Sequence, residues 1–146
     1  MAWYTGTTTV KKKSQKNLWV KCKKCNSHIF ESEWNENLHV CPNCNYHGNI
    51  TSFERINLLF DENTFEELFD NISPKDSLKF NDLKGSYEDK YKAAIEKTGV
   101  SEAVVTGHGK INGIHAVIAV MDFRFLGGSL GSGTGEKILQ AANYAY

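Results

Sequence analysis

The chain has 146 residues, 40% of them hydrophobic, and a formal net charge of zero at pH 7, which suits one domain or a small module joined to part of a larger one. Its longest apolar run, near Ile114–Met121, is too short for a membrane span, and the opening MAWYTGTTTVKKK lacks the continuous apolar core of a secretory leader. The expected setting is therefore the cytosol, with no membrane partner, where reducing conditions argue against structural disulfides for the four cysteines.

Charge is spread unevenly. Residues 1–50 carry seven lysines and three acids, while residues 51–146 carry ten basic and fourteen acidic side chains. That asymmetry fits a basic module joined to an acidic one. Three segments follow: a basic tail at 1–17 containing VKKKSQK, a small cysteine-bearing module at 18–50, and an α/β domain portion at 51–146.

Cys22-Lys-Lys-Cys25 and Cys41-Pro-Asn-Cys44 are separated by fifteen residues. Two C-x-x-C turns at this spacing each aim two thiolates at one point and together complete a tetrahedron around zinc. Four sulfurs close the shell, so the ion is structural and not catalytic. Asn26 and Asn45 follow the two pairs, where a knuckle needs a residue tolerant of positive φ. Between the pairs, SHIFESEWNENLHV reads as two short strands around a Trp34–Asn37 turn. A dithiol redox pair, or His39 or His47 replacing one cysteine, are the competing readings of the same residues. Lys21, Lys23 and Lys24 lie among Trp19, Phe30, Trp34 and Tyr46. That mixture suits either weak nucleic-acid binding or a solvated face over a small core.

After Asn49 the pattern turns helical. Thr51–Glu54 forms a capping box leading into Phe53, Ile56 and Phe60, and Thr64–Glu67 offers a second, leading into Phe65, Leu68 and Phe69. Pro74 closes this helical region and DSLKFNDLKGS reads as loop. Tyr87, Tyr91, Ala94 and Ile95 form a third amphipathic stripe, with Gly99 at its C-terminal cap. EAVVTGHGKI and IHAVIAVMDF are strands joined by Asn112-Gly113, a strong hairpin signal. The second strand is nearly continuous in apolar residues, as expected when both faces are covered. His115 reads as a packed or edge residue.

Then comes MDFRFLGGSLGSGTGEK, with Gly127, Gly128, Gly131, Gly133 and Gly135 between the strand and a helix expected from Gly135 or Glu136. The spacing matches neither G-x-G-x-x-G nor a P-loop. Such density of glycine either lets a helix and sheet pack closely or lets a ligand reach the backbone.

The order CKKC…CPNC, LLFDENTFEELF, Y…A…TG, Asn-Gly hairpin and MDFRFLGGSLGSGTGEKI closely resembles the β subunit of bacterial acetyl-CoA carboxylase carboxyltransferase, from Leu18 to Tyr144. The resemblance implies an N-terminal zinc ribbon followed by the first part of a crotonase-like (ββα) carboxyltransferase domain. It implies an α2β2 enzyme with a carboxyltransferase α subunit, working with biotin carboxylase and a biotin carboxyl carrier protein. The reaction would move a carboxyl group from carboxybiotin to acetyl-CoA, giving malonyl-CoA for fatty acid synthesis, with ATP used elsewhere in the complex. The five glycines would then bind substrate, their amides meeting a thioester or biotin oxygen beside the positive end of the following helix. The family's later Ser-Gly-Gly-Ala-Arg segment has no counterpart here, so the expectation is a fragment that is inactive alone. Acyl specificity rests on the resemblance.

Overall fold

The computed structural model describes residues 18–83 and 85–146, and the basic tail lies outside the described residues. The chain divides into two compact units, Met1–Asn49 and Ile50–Tyr146.

In the first unit, β1 (Trp19–Lys21) and β2 (His28–Phe30) pair antiparallel, with Trp19 opposite Phe30 and Lys21 opposite His28. The first Cys pair sits in the turn between them. The expected Trp34–Asn37 hairpin is not formed. Its place is taken by a short helix, α1 (Glu31–Glu36), that buries Trp34. Glu31 and Glu33 lie in its first turn, where acidic side chains favour the positive helix end. Leu38 and His39 then take left-handed φ values of 52° and 61° and reverse the chain. The pairing read from the sequence is replaced: β2 pairs with β1, and Val40 makes an isolated antiparallel bridge to His47 across the second Cys pair. Gly48 lies over Trp34, where any Cβ would strike the indole, and its N–H donates to the His39 carbonyl at 2.7 Å.

The second unit opens with α2 (Ser52–Leu59), whose capping box forms as the sequence indicates. The Thr51 hydroxyl accepts the Glu54 N–H at 3.1 Å, and the Glu54 carboxylate accepts the Thr51 N–H at 2.6 Å. The second box fails. Thr64 Oγ1 donates to the Asp61 carbonyl at 2.8 Å and accepts the Lys110 N–H at 3.1 Å, and the next residues form a strand, β3 (Glu66–Leu68). The helical region therefore ends at Phe60, well before Pro74.

Two glycines on β6 (Val104–Ile111) explain this outcome. A Cβ at Gly107 would strike the Phe65 ring and the Glu66 carbonyl, and one at Gly109 would lie 2.7 Å from Phe60 Cδ1 and 2.8 Å from the Thr64 carbonyl. Two residues apart, they bare one face of the strand. That gap seats Phe60 and Phe65 and lets β3 pair with β6 in the register Glu66–His108, Glu67–Gly107, Leu68–Thr106.

The segment expected as loop carries a small ladder, β4 (Asn81–Asp82) with β5 (Gly85–Ser86). Helix α3 (Tyr87–Thr98) starts at a Ser86 cap and stops at Gly99, whose φ of 75° is the left-handed cap position. Strand β7 (Ile114–Met121) returns from β6 through Asn112 and Gly113, at φ 51° and 80°, the two positive values a type I′ turn requires. The Asp61 carboxylate accepts both turn amides, at 2.9 and 2.8 Å.

The main sheet has the order β3-β6-β7. Ile56, Phe60, Ala94, Val100, Ala103, Val105, Val120 and Phe125 form the core on one face. Helix α4 (Ser132–Ala145) packs on β6 and β7, and its Tyr144 meets His108, which alternates with Gly107 and Gly109, so α4 covers the opposite face. Both faces of β7 thus carry helices, but β7 is an edge strand. Ile114 and His115 stay exposed and only Val120 is fully buried.

Candidate functional site

The two Cys turns are built alike. Asn26 and Asn45, at φ 60° and 55°, donate their N–H groups to the carbonyls of Cys22 and Cys41, at 3.0 and 2.9 Å. Each left-handed Asn folds its turn back so that both sulfurs face inward. Cys22 Sγ lies 3.7 Å from Cys44 Sγ, and Cys25 Sγ 3.6 Å from Cys41 Sγ, with all four ligand atoms within 4.8 Å of one another. A tetrahedron with metal–sulfur bonds of about 2.3 Å has edges of about 3.8 Å, so the cluster has the dimensions of a structural zinc site.

The Ser27 hydroxyl, 2.7 Å from Cys25 Sγ, and the Ser27 backbone hold that thiol down at about 6, while burial pushes Cys44 up to about 12. Thiolates are the metal-binding form, so loading such a site releases whatever thiol protons remain. His39 is committed elsewhere, its ring nitrogens lying 2.8 Å from the Asn49 carbonyl and 3.1 Å from Asn35 Oδ1. His47 is likewise outside the cluster.

The glycine segment follows β7. Its helix begins at Ser132, three or four residues earlier than expected, so Gly131 is the N-cap and Gly133 and Gly135 are helical. The five glycines then separate by physical reason. Gly127 and Gly128 have φ of 71° and 75°, and together with Leu126 at 44° they form a left-handed turn. A Cβ at Gly128 would also lie 2.7 Å from the Phe123 ring. Gly133 is a packing glycine, since a Cβ there would strike the Glu102 carboxylate and come within 2.9 Å of Pro74 N. Gly131 and Gly135 have neither positive φ nor any neighbour within 4 Å of a built Cβ. Four residues apart, they share one face of the first turn of α4. Among the described residues, the N–H groups of Gly127, Ser129, Leu130 and Gly131 meet no acceptor.

Two buried carboxylates hold this segment at its ends, and neither was singled out from the sequence. Asp122, 1% exposed, accepts from Ser52 N and Oγ at 3.3 and 3.0 Å, and from Arg124 N, Nε and Nη2 at 3.0, 2.9 and 2.6 Å. The Arg124 guanidinium, opposed by burial, keeps its carboxyl well below the usual carboxylate range. Asp122 thereby ties the start of α2 to the foot of the glycine segment. At the far end Glu102, 4% exposed, accepts from Thr134 Oγ1 at 2.8 Å and from the Ala103 N–H at 3.1 Å. Lys137, also buried, lies 3.9 Å from Glu67, and burial pushes its ammonium down. The signal for Lys137 was its place with Gly133, Thr134 and Ala141 on the inward stripe of α4. For Asp122 it was a charge closing an otherwise apolar run.

Residues 44–146 match the carboxyl transferase domain family. The chain belongs to that family. It is 43% identical over 135 residues to the acetyl-coenzyme A carboxylase carboxyl transferase subunit beta of Prochlorococcus marinus (strain MIT 9515), covering 92% of this chain and 46% of that protein. The subunits of the same name from Clostridium novyi (strain NT) and Carboxydothermus hydrogenoformans are each 47% identical, over 88% and 94% of this chain and 43% and 48% of theirs. The chain spans about half the length of the curated relatives it matches. Among solved structures, transcarboxylase 12S, crystallised with methylmalonyl-coenzyme A and methylmalonic acid bound, aligns at a TM-score of 0.51 and 28% identity, over 67% of this chain and 16% of that one. The β6–β7–α4 succession is thus a ββα unit of the crotonase-like carboxyl transferase fold, preceded by the four-cysteine ribbon. No helix among the described residues is long and apolar enough to cross a membrane.

Proposed function

We propose that this chain supplies the β-subunit portion of a cytosolic acetyl-CoA carboxylase carboxyltransferase. In this reading it assembles with an α subunit and receives carboxybiotin on a carrier protein charged by an ATP-dependent biotin carboxylase. The methyl carbon of acetyl-CoA loses a proton, the bond from the ureido nitrogen to the carboxyl group breaks, a new carbon–carbon bond forms, and the nitrogen takes up a proton. Negative charge develops first on the thioester oxygen and then on the ureido oxygen. Fixed amide donors stabilise such charge by about 3 kcal/mol each. The exposed amides of Gly127, Ser129, Leu130 and Gly131 are donors of that kind. Zinc takes no part in these steps; the four cysteines hold it to fold the ribbon.

One observation carries the role of the glycine segment. Gly131 and Gly135 lack side chains although neither their backbone conformation nor their surroundings within the chain requires it. A surface kept bare without internal need fits close approach by a ligand. Gly135→Ala tests this well, because alanine in a helix is favoured over glycine by about 1 kcal/mol. The expected result is a higher melting temperature with carboxyl transfer reduced at least tenfold in the assembled transferase. Full turnover in Gly131→Ala/Gly135→Ala would remove the ligand role.

A second reading concerns the ribbon. Trp19 and Phe30 stack at 3.7 Å between centroids, both half-exposed, on the strand face that also carries Lys21 and His28. Such a platform suits unpaired bases. Single-stranded RNA binding that weakens steeply with salt and is lost in Trp19→Ala would support it, and no binding at low salt would remove it.

A further inference from the structure

We infer that Thr134, held by Glu102, is a positioning residue that fixes the conformation of the glycine segment. The inference builds on the ligand role proposed above for that segment. Thr134 is fully buried in the first turn of α4, and its hydroxyl donates to Glu102 Oε2 at 2.8 Å. The same Oγ1 lies 3.3 Å from the Ser129 carbonyl oxygen. One hydroxyl proton thus sits between a buried carboxylate and a carbonyl of the segment itself. Glu102 is in turn fixed, since its Oε2 accepts the Ala103 N–H just before β6 and its other oxygen takes the space that a Cβ on Gly133 would need.

The opposite end of the segment is anchored independently. Phe125 is buried in the core, packs edge-on against Tyr91, and donates its N–H to the Asp122 carbonyl at 3.1 Å. Between the two anchors, residues 126–131 make one internal bond, from Gly128 N–H to the Phe125 carbonyl at 2.8 Å. Three consecutive positive φ values, one of them at a leucine, are not a conformation the segment would hold unaided. The Thr134 contact to Ser129 is the side-chain tether on the helix side. Without it, the directions of the exposed amides are no longer set.

Two readouts on the 146-residue chain and one on the assembled transferase test this. In the unaltered chain the Thr134 hydroxyl proton should be seen by NMR as a slowly exchanging resonance; rapid exchange with solvent overturns the inference without any mutation. In Thr134→Val, exchange of the Gly128 amide should rise about tenfold or more while the Phe125 amide, held by Asp122, is unchanged, and Thr134→Ser should restore Gly128 protection. Equal protection of Gly128 in the Val and unaltered chains overturns it. In the transferase, Thr134→Val should lower kcat on the order of 100-fold, the cost of an ångström-scale misplacement, with KM for the CoA ester within about twofold, and Thr134→Ser should recover the rate. If Gly128 protection falls and returns as stated but turnover never changes, the tether stands and the ligand role of the segment falls.

Discussion

Asp122→Ala isolates the largest single electrostatic commitment in the second unit. The substitution removes an acceptor for five donor contacts. Ser52 is fully buried, so its N–H and hydroxyl are both left without a partner. Each such orphan costs about 1–3 kcal/mol, or roughly 2–6 kcal/mol together. Arg124 is 41% exposed on its side chain and turns to water, so its share is small. A net loss near 4 kcal/mol lowers the melting temperature of a unit this size by about 15–30 °C. The measurement is thermal and urea unfolding followed by far-ultraviolet circular dichroism, with the zinc level held constant. The pH dependence carries a sign. The folded pKa of Asp122 lies below its unfolded value of about 3.9, so its stabilisation is present above about pH 4 and lost as pH falls through the folded value. Asp122→Asn should therefore lose much of the stability near neutrality while showing a flatter acid limb. A variant within about 1 kcal/mol of the unaltered chain at pH 7 would refute the claim that Asp122 anchors α2 to the glycine segment.

Other consequences follow from the same geometry. Cys41→Ser, at a fully buried ligand, should abolish stoichiometric zinc binding measured by metal analysis and shift the fluorescence of Trp34, which packs in the same cluster. A chelator should produce the same spectral change in the unaltered chain, and acidification should release the ion as the sulfurs take up protons. Asp61→Ala leaves the two hairpin amides to water and should cost about 1 kcal/mol in urea unfolding, with no change in fold. Gly107→Ala should cost several times more, because the neighbouring group includes the Glu66 carbonyl of the adjoining strand, which has no rotamer to escape into.

Features that depend on a few adjacent residues were legible in the sequence. The knuckle asparagines, the Thr51 box, the Ser86-to-Gly99 helix and the Asn112-Gly113 turn each combine a special backbone position with a residue type suited to it. The misreadings at α1 and β3 have a shared cause. Both elements are short, so summed propensity is too small to decide them and distant contacts do. Residues 64–67 carry a sound capping pattern, yet Gly107 and Gly109, some forty residues later, offer a bare strand face that only an extended Phe65–Leu68 can use. Trp34 likewise turns its segment helical because its ring must reach the sulfur cluster under Gly48. At the glycine segment the residues were visible but their reasons were not. Gly133 and Gly135 look alike in sequence, and only packing shows that the first accommodates Glu102 while the second faces open space.

That placement of Glu102 changes the electrostatics expected of the segment. The positive end of α4 was expected to face a substrate anion, and a helix end carries roughly half a positive charge. The structure sets a carboxylate of this chain against the first turn, so the field there is already opposed from within. Anion stabilisation then has to come from short-range donation by individual amides, not from the helix as a whole. Glu102→Gln separates the two contributions, because the amide oxygen can still accept from Thr134 while the charge is gone. A helix end unmasked in this way should gain about 0.3–1 kcal/mol toward a nearby anion, which is about a two- to fivefold fall in KM or Kd for the CoA ester, larger at low salt. The assay is ester binding and carboxyl transfer by the assembled enzyme at two ionic strengths. A KM that stays constant, or rises, with Gly128 amide protection intact would show that no substrate anion lies near this end of α4.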